Sequence, residues 1–302
     1  ALLSAYKDNT DTQDLSFNSS TKVLSLTDGG TVDLSGLSSN SSSSASSLNE
    51  LTDALVEDNS IYIGNDPSAT TDDAAYNFAI GKTSLNNITT GDDNVAIGHN
   101  ALSSNTSGSG NVAIGGAALE TNTTGSNNVS LGVFSMYLNT TGSGNIAIGQ
   151  LSLKENTTAD YNTAVGHNAL RANTTGGQNT ATGYASMESN TTGQANTANG
   201  VLSLRFNTTG YYNTATGNKA LYSNTTASKN TATGNTALFS NTTGEGNTAS
   251  GSEALFSNTT GEGNTASGSE ALKANTTGVG NTASGSEALK ENTTASYNSA
   301  LG

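Results

Sequence analysis

Apolar and polar positions recur with a period of 17 residues from Asn77 to Gly302. Each copy reads approximately N-T-A-x-G-x-x-A-L-x-x-N-T-T-G-x-x, and no insertion or deletion interrupts the period. We number the repeat positions 1 to 17 from the first Asn, and we call the residues at one position in successive copies a rank. Position 3 is almost always Ala, position 8 is Ala or Ser, and position 9 is Leu or Met. A short period kept this strictly predicts a solenoid, in which coils of backbone stack on one another.

The glycines of the repeat indicate which kind of coil forms. Gly occupies position 5 and usually position 15. A helix would therefore meet a Gly at least once in about every ten residues and would be interrupted there. We therefore predict that N-x-A-x-G forms a β-strand of about four residues and that N-T-T-G forms a turn or a second short strand. Parallel strands stack about 4.8 Å apart, so this all-β parallel β-roll would be roughly 70 Å long.

Alternation along the strand predicts which side chains share a face. The Ala at position 3 points to one side, and the residues at positions 2 and 4 point to the other. Positions 2 and 4 carry mainly Val and Ile in the first half of the array, whereas from Thr180 onward they carry mainly Thr and Ser. We interpret the following as structural core ranks: Val95, Ile97, Val112, Ile114, Ile146 and Ile148, with Leu102, Leu119, Leu153, Leu170, Leu221, Leu238, Leu255 and Leu272 at position 9.

The Asn at position 1 and the Gly at position 5 are interpreted as turn or ladder residues. In a stack of coils, the Asn side-chain amides would hydrogen-bond along the column. The alternative is that Asn is only a turn residue that tolerates unusual backbone angles. Representative members of these ranks are Asn94, Gly98, Asn111, Gly115, Asn145, Gly149, Asn213, Gly217, Asn247 and Gly251.

The apolar content of one coil is small for a self-sufficient domain. Burying one Leu contributes about 1.5–3 kcal/mol, whereas ordering the backbone costs about 1–2 kcal/mol for each residue of the coil. Several chains that meet around a common axis would bury both faces of the strand. The sequence therefore predicts that more than one chain packs side by side.

The residues before the array divide into three segments. Residues 1–37 are a polar stretch followed by a β-hairpin, with strands around Val23–Leu26 and Thr31–Leu34 and a turn at Asp28 to Gly30. Residues 38–46 form a Ser-rich linker. Residues 47–59 are predicted to be a short helix, because Ser47 and Glu50 match a capping box and an apolar stripe follows. The stripe of Leu48, Leu51 and Leu55 would form a coiled-coil neck, and the β-roll would span 60–302.

Composition and charge exclude several classes of function. The formal net charge is −14, with 24 acidic and 10 basic residues, and an acidic chain without a basic patch is a poor binder of nucleic acid. No apolar run is long enough to span a membrane. No phosphate-binding loop, dinucleotide fingerprint, zinc spacing or catalytic triad pattern is present. We therefore expect neither an enzyme nor a cofactor.

The pentapeptides Asn94–Gly98, Asn111–Gly115 and Asn145–Gly149 read N-V-A-I-G, N-V-A-I-G and N-I-A-I-G. With this motif the array resembles the head repeats of YadA-like trimeric autotransporter adhesins, and related repeats occur in phage tail-fibre proteins. The resemblance covers about residues 60–302. It implies a left-handed β-roll that packs as a homotrimer into a stiff extracellular fibre on a bacterial surface or a virion. Its unit is longer than the family's, and the Ser that follows Asn in the family is absent here.

Three functions remain open on the sequence. The leading prediction is a structural or adhesive fibre that contacts a receptor or glycan on another surface. The first alternative is a glycan-binding surface that uses variable aromatic residues: Tyr211, Tyr212, Tyr222, Phe239 and Phe256. The second alternative is an ice-binding solenoid, in which the Thr ranks exemplified by Thr214 and Thr216 would order water.

Overall fold

The computed structural model describes residues 15–18, 23–26, 31–33, 54–64, 67, 71 and 73–302. The chain divides into two compact units, residues 1–50 and residues 51–302. The first unit contains an antiparallel sheet of β1 (Leu15–Asn18), β2 (Val23–Leu26) and β3 (Thr31–Asp33), in the order β1-β2-β3. Leu24 pairs with Val32 across β2 and β3, which is the antiparallel arrangement predicted for the hairpin.

The second unit is a parallel β-solenoid built from one sheet of 16 strands in sequence order. The strands are β4 (Ala54–Glu57), β5 (Ser60–Ile63), β6 (Phe78–Ile80), β7 (Val95–Ile97), β8 (Val112–Ile114), β9 (Val129–Leu131), β10 (Ile146–Ile148), β11 (Thr163–Val165), β12 (Thr180–Thr182), β13 (Thr197–Asn199), β14 (Thr214–Thr216), β15 (Thr231–Thr233), β16 (Thr248–Ser250), β17 (Thr265–Ser267), β18 (Thr282–Ser284) and β19 (Ser299–Leu301). Each strand from β6 onward covers positions 2 to 4 and pairs in register with the strand one coil away. The predicted all-β solenoid of 17-residue coils is confirmed.

The helix predicted over residues 47–59 is not found in its described part. Residues Ala54–Glu57 instead form β4, which pairs antiparallel with β5 through a turn at Asp58 and Asn59. These two residues have φ angles of 44° and 59°, as in the type I′ turns that favour Asp and Asn in hairpins. Leu55 lies opposite Tyr62 and packs against the core. A short isolated helix is marginal, whereas here the strand extends an existing sheet; Leu48 and Leu51 lie outside the described residues.

The stack is connected by backbone hydrogen bonds on every side of the coil. The N–H of Val112 donates to the carbonyl of Asn128 in the next coil at 2.8 Å, and that of Thr123 donates to Thr140 at 2.8 Å. The N–H of Gly115 donates in the opposite direction, to Ile97 of the preceding coil, at 2.8 Å. No strand is formed by the N-T-T-G segment in the described coils. The segment nevertheless hydrogen-bonds from coil to coil much as a strand does.

The core lies inside each coil and is filled by the chain itself. Its apolar part consists mainly of the Ala at position 3, the Ala found at position 8 in many coils and the Leu or Met at position 9, while other coils bury a Ser at position 8. The position-9 side chains from Leu85 to Leu272 are fully buried, although their backbone is left-handed, with φ near that of Leu102 at 51°. That conformation is uncommon for Leu, so the surrounding coils must hold it in place.

Candidate functional surface

The Asn rank at position 1 forms a hydrogen-bonded ladder through the interior. The Oδ1 of Asn94 accepts from the backbone N–H of Asn111 at 3.0 Å and from its Nδ2 at 3.1 Å. The same Nδ2 donates to the carbonyl of Gly125 within its own coil at 2.9 Å. The backbone bond to the preceding Asn recurs in every coil from Asn94 to Asn298. The predicted ladder residues Asn94, Asn111, Asn145, Asn213 and Asn247 all make this bond to the preceding Asn.

A second Asn ladder runs along position 12, in the N-T-T-G segment whose sequence predicts only a turn or a short strand. Asn122 donates from Nδ2 to the Oδ1 of Asn105 in the preceding coil at 2.8 Å and to the carbonyl of Gly125 at 2.9 Å. The contact between neighbouring coils continues to Asn292. The available signal was the recurrence of a second Asn in each copy from Asn105 to Asn292, because an exposed turn residue would be free to vary.

The Gly rank at position 5 is required by close approach of the backbone. Gly217 has a φ of 129°, and a Cβ there would lie 2.4 Å from the carbonyl oxygen of Gly234 in the next coil. The other predicted members of this rank, Gly98, Gly115, Gly149 and Gly251, have the same left-handed φ and the same short approach to the next coil. The position-5 residue therefore sets how closely the coils stack.

The two sets of predicted core residues differ in burial, because one faces the interior of the coil and the other faces outward. The position-9 set, Leu102, Leu119, Leu153, Leu170, Leu221, Leu238, Leu255 and Leu272, is completely buried. By contrast, the flanking residues point outward, and Val95, Ile97 and Val112 are half-buried. Ile114, Ile146 and Ile148 are 39%, 37% and 38% exposed. Within one chain the flanking residues are therefore not core residues.

These outward residues make up a continuous surface, which we call the sheet face and define as positions 2 and 4 of strands β6 to β19. Its first part is mainly aliphatic and runs from Ile80 and the aromatic Phe78 to Ile146 and Ile148. From β12 onward it carries mainly Thr and Ser, with Asn199 as an exception. The strands remain in register where Val and Ile give way to Thr and Ser. The sheet face therefore has an apolar part followed along the column by a hydroxyl-bearing part.

The position-10 rank carries stacked aromatic rings on another part of the surface. The rings of Tyr222 and Phe239 lie 5.1 Å apart at an interplanar angle of 2°, and those of Phe239 and Phe256 lie 5.1 Å apart at 5°. Phe206 meets Tyr222 edge-on at 5.0 Å. Because each ring covers the face of its neighbour, the stack stabilises the coils and leaves mainly ring edges for a ligand.

An ion-pair cluster follows this stack toward the C-terminus. Lys290 lies 2.7 Å from Glu270 and 3.2 Å from Glu287, and Lys273 lies 3.2 Å from Glu270. The hydrogen bonds from Lys290 and Lys273 lower the pKa of Glu270. Hydrogen bonds with Glu253 and Glu270 raise the pKa of Lys273. Hydrogen bonds with Glu270 and Glu287 raise the pKa of Lys290.

Two adjacent tyrosines line a cleft on the side of the column. The rings of Tyr211 and Tyr212 are 5.5 Å apart at 81°, and they line a cleft of about 260 Å³ with Thr192, Gln194 and Thr209. A larger cavity of about 660 Å³ lies at the last coil, where Leu289 is only partly covered.

The described residues contain no group of three or more His, Asp or Glu side chains that is arranged to hold a metal ion. In the same part of the chain, no helix is long and apolar enough to cross a membrane. No protein-family model, curated protein or solved structure matches this chain.

Proposed function

We propose that the chain is part of a structural and adhesive extracellular fibre, as the head or shaft of a trimeric surface adhesin or of a phage tail fibre. The observation that carries this proposal is the aliphatic part of the sheet face. It lies on the outside of a solenoid whose interior is already filled by Leu, Ala and two Asn ladders.

A contiguous apolar surface is a typical site of protein association. The exposed pair Ile146 and Ile148 lies in register with Val129 and Leu131 of the preceding coil, so the side chains form two straight apolar rows. Rows of this kind fit the same rows on further copies of the chain around a common axis. Three copies would remove these side chains from water and would join the columns along their length.

A stack of parallel coils also suits a protein that bridges a distance. Its 16-stranded sheet would extend roughly 70 Å at a strand spacing of about 4.8 Å. Such a column would project a binding end from a bacterial surface or a virion, or it would contact a receptor along its side. This proposal agrees with the resemblance of the N-V-A-I-G pentapeptides to the trimeric adhesin heads.

The test is the mass of the soluble protein by light scattering after size exclusion. We expect three chains per particle for the natural sequence. The variant Ile114→Thr/Ile148→Thr places at position 4 the residue that the chain already carries at Thr216, so it should retain the solenoid circular-dichroism spectrum but dissociate. Val133→Thr removes an exposed aliphatic side chain outside the sheet face and should leave the trimer intact. A natural chain that is a stable monomer would contradict the proposal.

A second candidate function is ice binding by the hydroxyl-bearing part of the sheet face. Thr214 and Thr216 lie in register with Thr231 and Thr233, so their methyl and hydroxyl groups repeat at the strand spacing on an outward surface. Measurable thermal hysteresis that is lost in Thr216→Lys/Thr233→Lys would support this candidate. A trimer that buries the sheet face would exclude it, because the same Thr ranks cannot then meet ice.

A further inference from the structure

One exposed position outside the sheet face carries a hydroxyl in every coil. Position 14 is Thr or Ser from Thr90 to Thr294, and each of these residues is exposed. Position 6, which is exposed in most coils, differs widely between coils, as Lys82, His99 and Tyr184 illustrate. The column therefore presents an unbroken row of hydroxyl groups along the surface that also contains positions 16 and 17.

At a single place this row of hydroxyls lies beside two aromatic rings. Positions 16 and 17 hold Tyr211 and Tyr212, which are 43% and 64% exposed. In the neighbouring coils the same positions hold mainly small or polar residues, such as Gln194 and Ala195 before and Ser228 and Lys229 after. The two tyrosine rings project from a surface of mainly small or polar side chains, and they form one wall of the cleft.

The floor of the cleft is polar and fixed by the solenoid backbone. Thr192 and Thr209 are successive members of the hydroxyl row, and Gln194 adds a side-chain amide. The N–H of Tyr212 donates to the carbonyl of Gln194 at 3.1 Å, and the N–H of Tyr211 donates to the Oγ of Ser228 at 3.1 Å. Both tyrosines are thereby held to the coils on either side, so the cleft is preformed.

We propose that this cleft binds a neutral saccharide. A sugar ring presents apolar C–H groups on its faces and hydroxyl groups around its edge. Amphipathic tyrosine rings offer the apolar contact, while Thr192, Thr209 and Gln194 offer hydroxyl and amide partners for the sugar hydroxyls. The cleft is smaller than the roughly 300 Å³ of drug-sized sites, so it suits one sugar unit of a longer glycan.

The cleft fits this role better than the other aromatic residues of the surface. The rings of Tyr222, Phe239 and Phe256 cover one another's faces. Tyr161 and Tyr297 are isolated at position 17, and each ring lies against the glycine of the preceding coil. Only Tyr211 and Tyr212, among these described aromatic residues, combine two exposed rings with a polar cleft. The inference does not depend on the fibre proposal, because the cleft lies within one chain.

The experiment is saturation-transfer difference NMR on the whole chain, with cellobiose, lactose, maltose and N,N′-diacetylchitobiose as probes. We expect transfer to at least one of these disaccharides. The variant Tyr211→Ser/Tyr212→Ala should weaken its binding about tenfold or more. These substitutions copy Ser228 and Ala195 of the adjacent coils, and Ala195 has a φ of 52° against 55° for Tyr212, so the solenoid should be unchanged.

The matched control is Tyr161→Ala, which removes a tyrosine that is 68% exposed at the same repeat position but away from the cleft. It should bind the probe as the natural chain does. Absence of transfer to all four disaccharides would overturn the inference. Equal binding by the natural chain and the double variant would also overturn it, because the contact would then lie elsewhere. Neither outcome depends on the number of chains per particle.

Discussion

Asn111 and Asn122 both donate their side-chain amides to the carbonyl of Gly125, each at 2.9 Å. This shared acceptor joins the two Asn ladders within the coil, while Oδ1 of each Asn accepts from the coil that follows. Buried polar groups are costly unless they are hydrogen-bonded, and here the repeat provides the partner from an identical neighbour. The ladders therefore supply a polar core that is satisfied only in the stacked state.

Removing one rung should destabilise the stack. In Asn111→Ala the backbone N–H and the Nδ2 of Asn128 lose their acceptor, and each unsatisfied buried group costs about 1–3 kcal/mol, so we expect a loss of about 2–6 kcal/mol. The measurements are the thermal midpoint by circular dichroism and amide hydrogen exchange in the flanking coils. Asn127→Ala is the control, since Asn127 is exposed and Ala195 occupies the same position. Equal effects of both variants would show that the ladder is not stabilising.

The two glycine ranks should respond differently to alanine. A Cβ on either Gly217 or Gly210 would approach a backbone oxygen, at 2.4 Å and 2.3 Å. However, only Gly217 has a left-handed φ, of 129°, and position 15 already accepts Ala at Ala159 and Ala227. We expect Gly217→Ala to cost about 1–3 kcal/mol in strain and to lower the thermal midpoint well below that of Gly210→Ala. The reverse order would show that contact, and not backbone conformation, selects glycine.

The solenoid was predictable from the sequence because a strict period leaves few other folds. The 17-residue spacing placed every strand from β6 to β19, and alternation about Ala113 correctly separated it from Val112 and Ile114. Which side of the strand faces the core was harder to predict. Val and Ile are normally buried, whereas here Ala faces inward and the aliphatic pair faces outward, because the Leu or Met at position 9 supplies the large side chain of the coil interior.

Other features depend on tertiary contacts that no single repeat reveals. Leu119 has a φ of 51°, which local preferences disfavour for Leu; it is held there by the N–H bond to Ser135 in the next coil. The strand of Ala54–Glu57 replaced the predicted helix for a related reason. Three Leu at helical spacing fit a helix, but the Asp58–Asn59 turn and the free edge of β5 favour a hairpin.

The N-T-T and N-T-S triplets match the acceptor pattern for N-glycosylation, but the folded chain should not be modified there. Asn122 is completely buried in the position-12 ladder, so the folded coil has no room for a glycan on its amide. We predict that folded protein from a eukaryotic secretory host carries no glycan at Asn122, as measured by peptide mass spectrometry. Asn292 is the internal comparison, since it is less buried in the last coil and should show the higher occupancy. A natively folded chain with a glycan on Asn122 would contradict the ladder.

Acid should weaken the ion-pair cluster at Glu270. Because Lys290 and Lys273 lower the pKa of Glu270, its stabilisation is complete above the unfolded carboxyl pKa of about 4.3 and is lost as pH falls through the lower folded pKa. The fall in thermal midpoint from pH 7 to pH 3 should therefore be smaller for Glu270→Gln than for the natural chain. Glu262→Gln, which removes a glutamate at position 16, should behave like the natural chain. At 1 M salt, where the Debye length is about 3 Å, the difference should shrink; equal acid responses of all three proteins would exclude a contribution from the cluster.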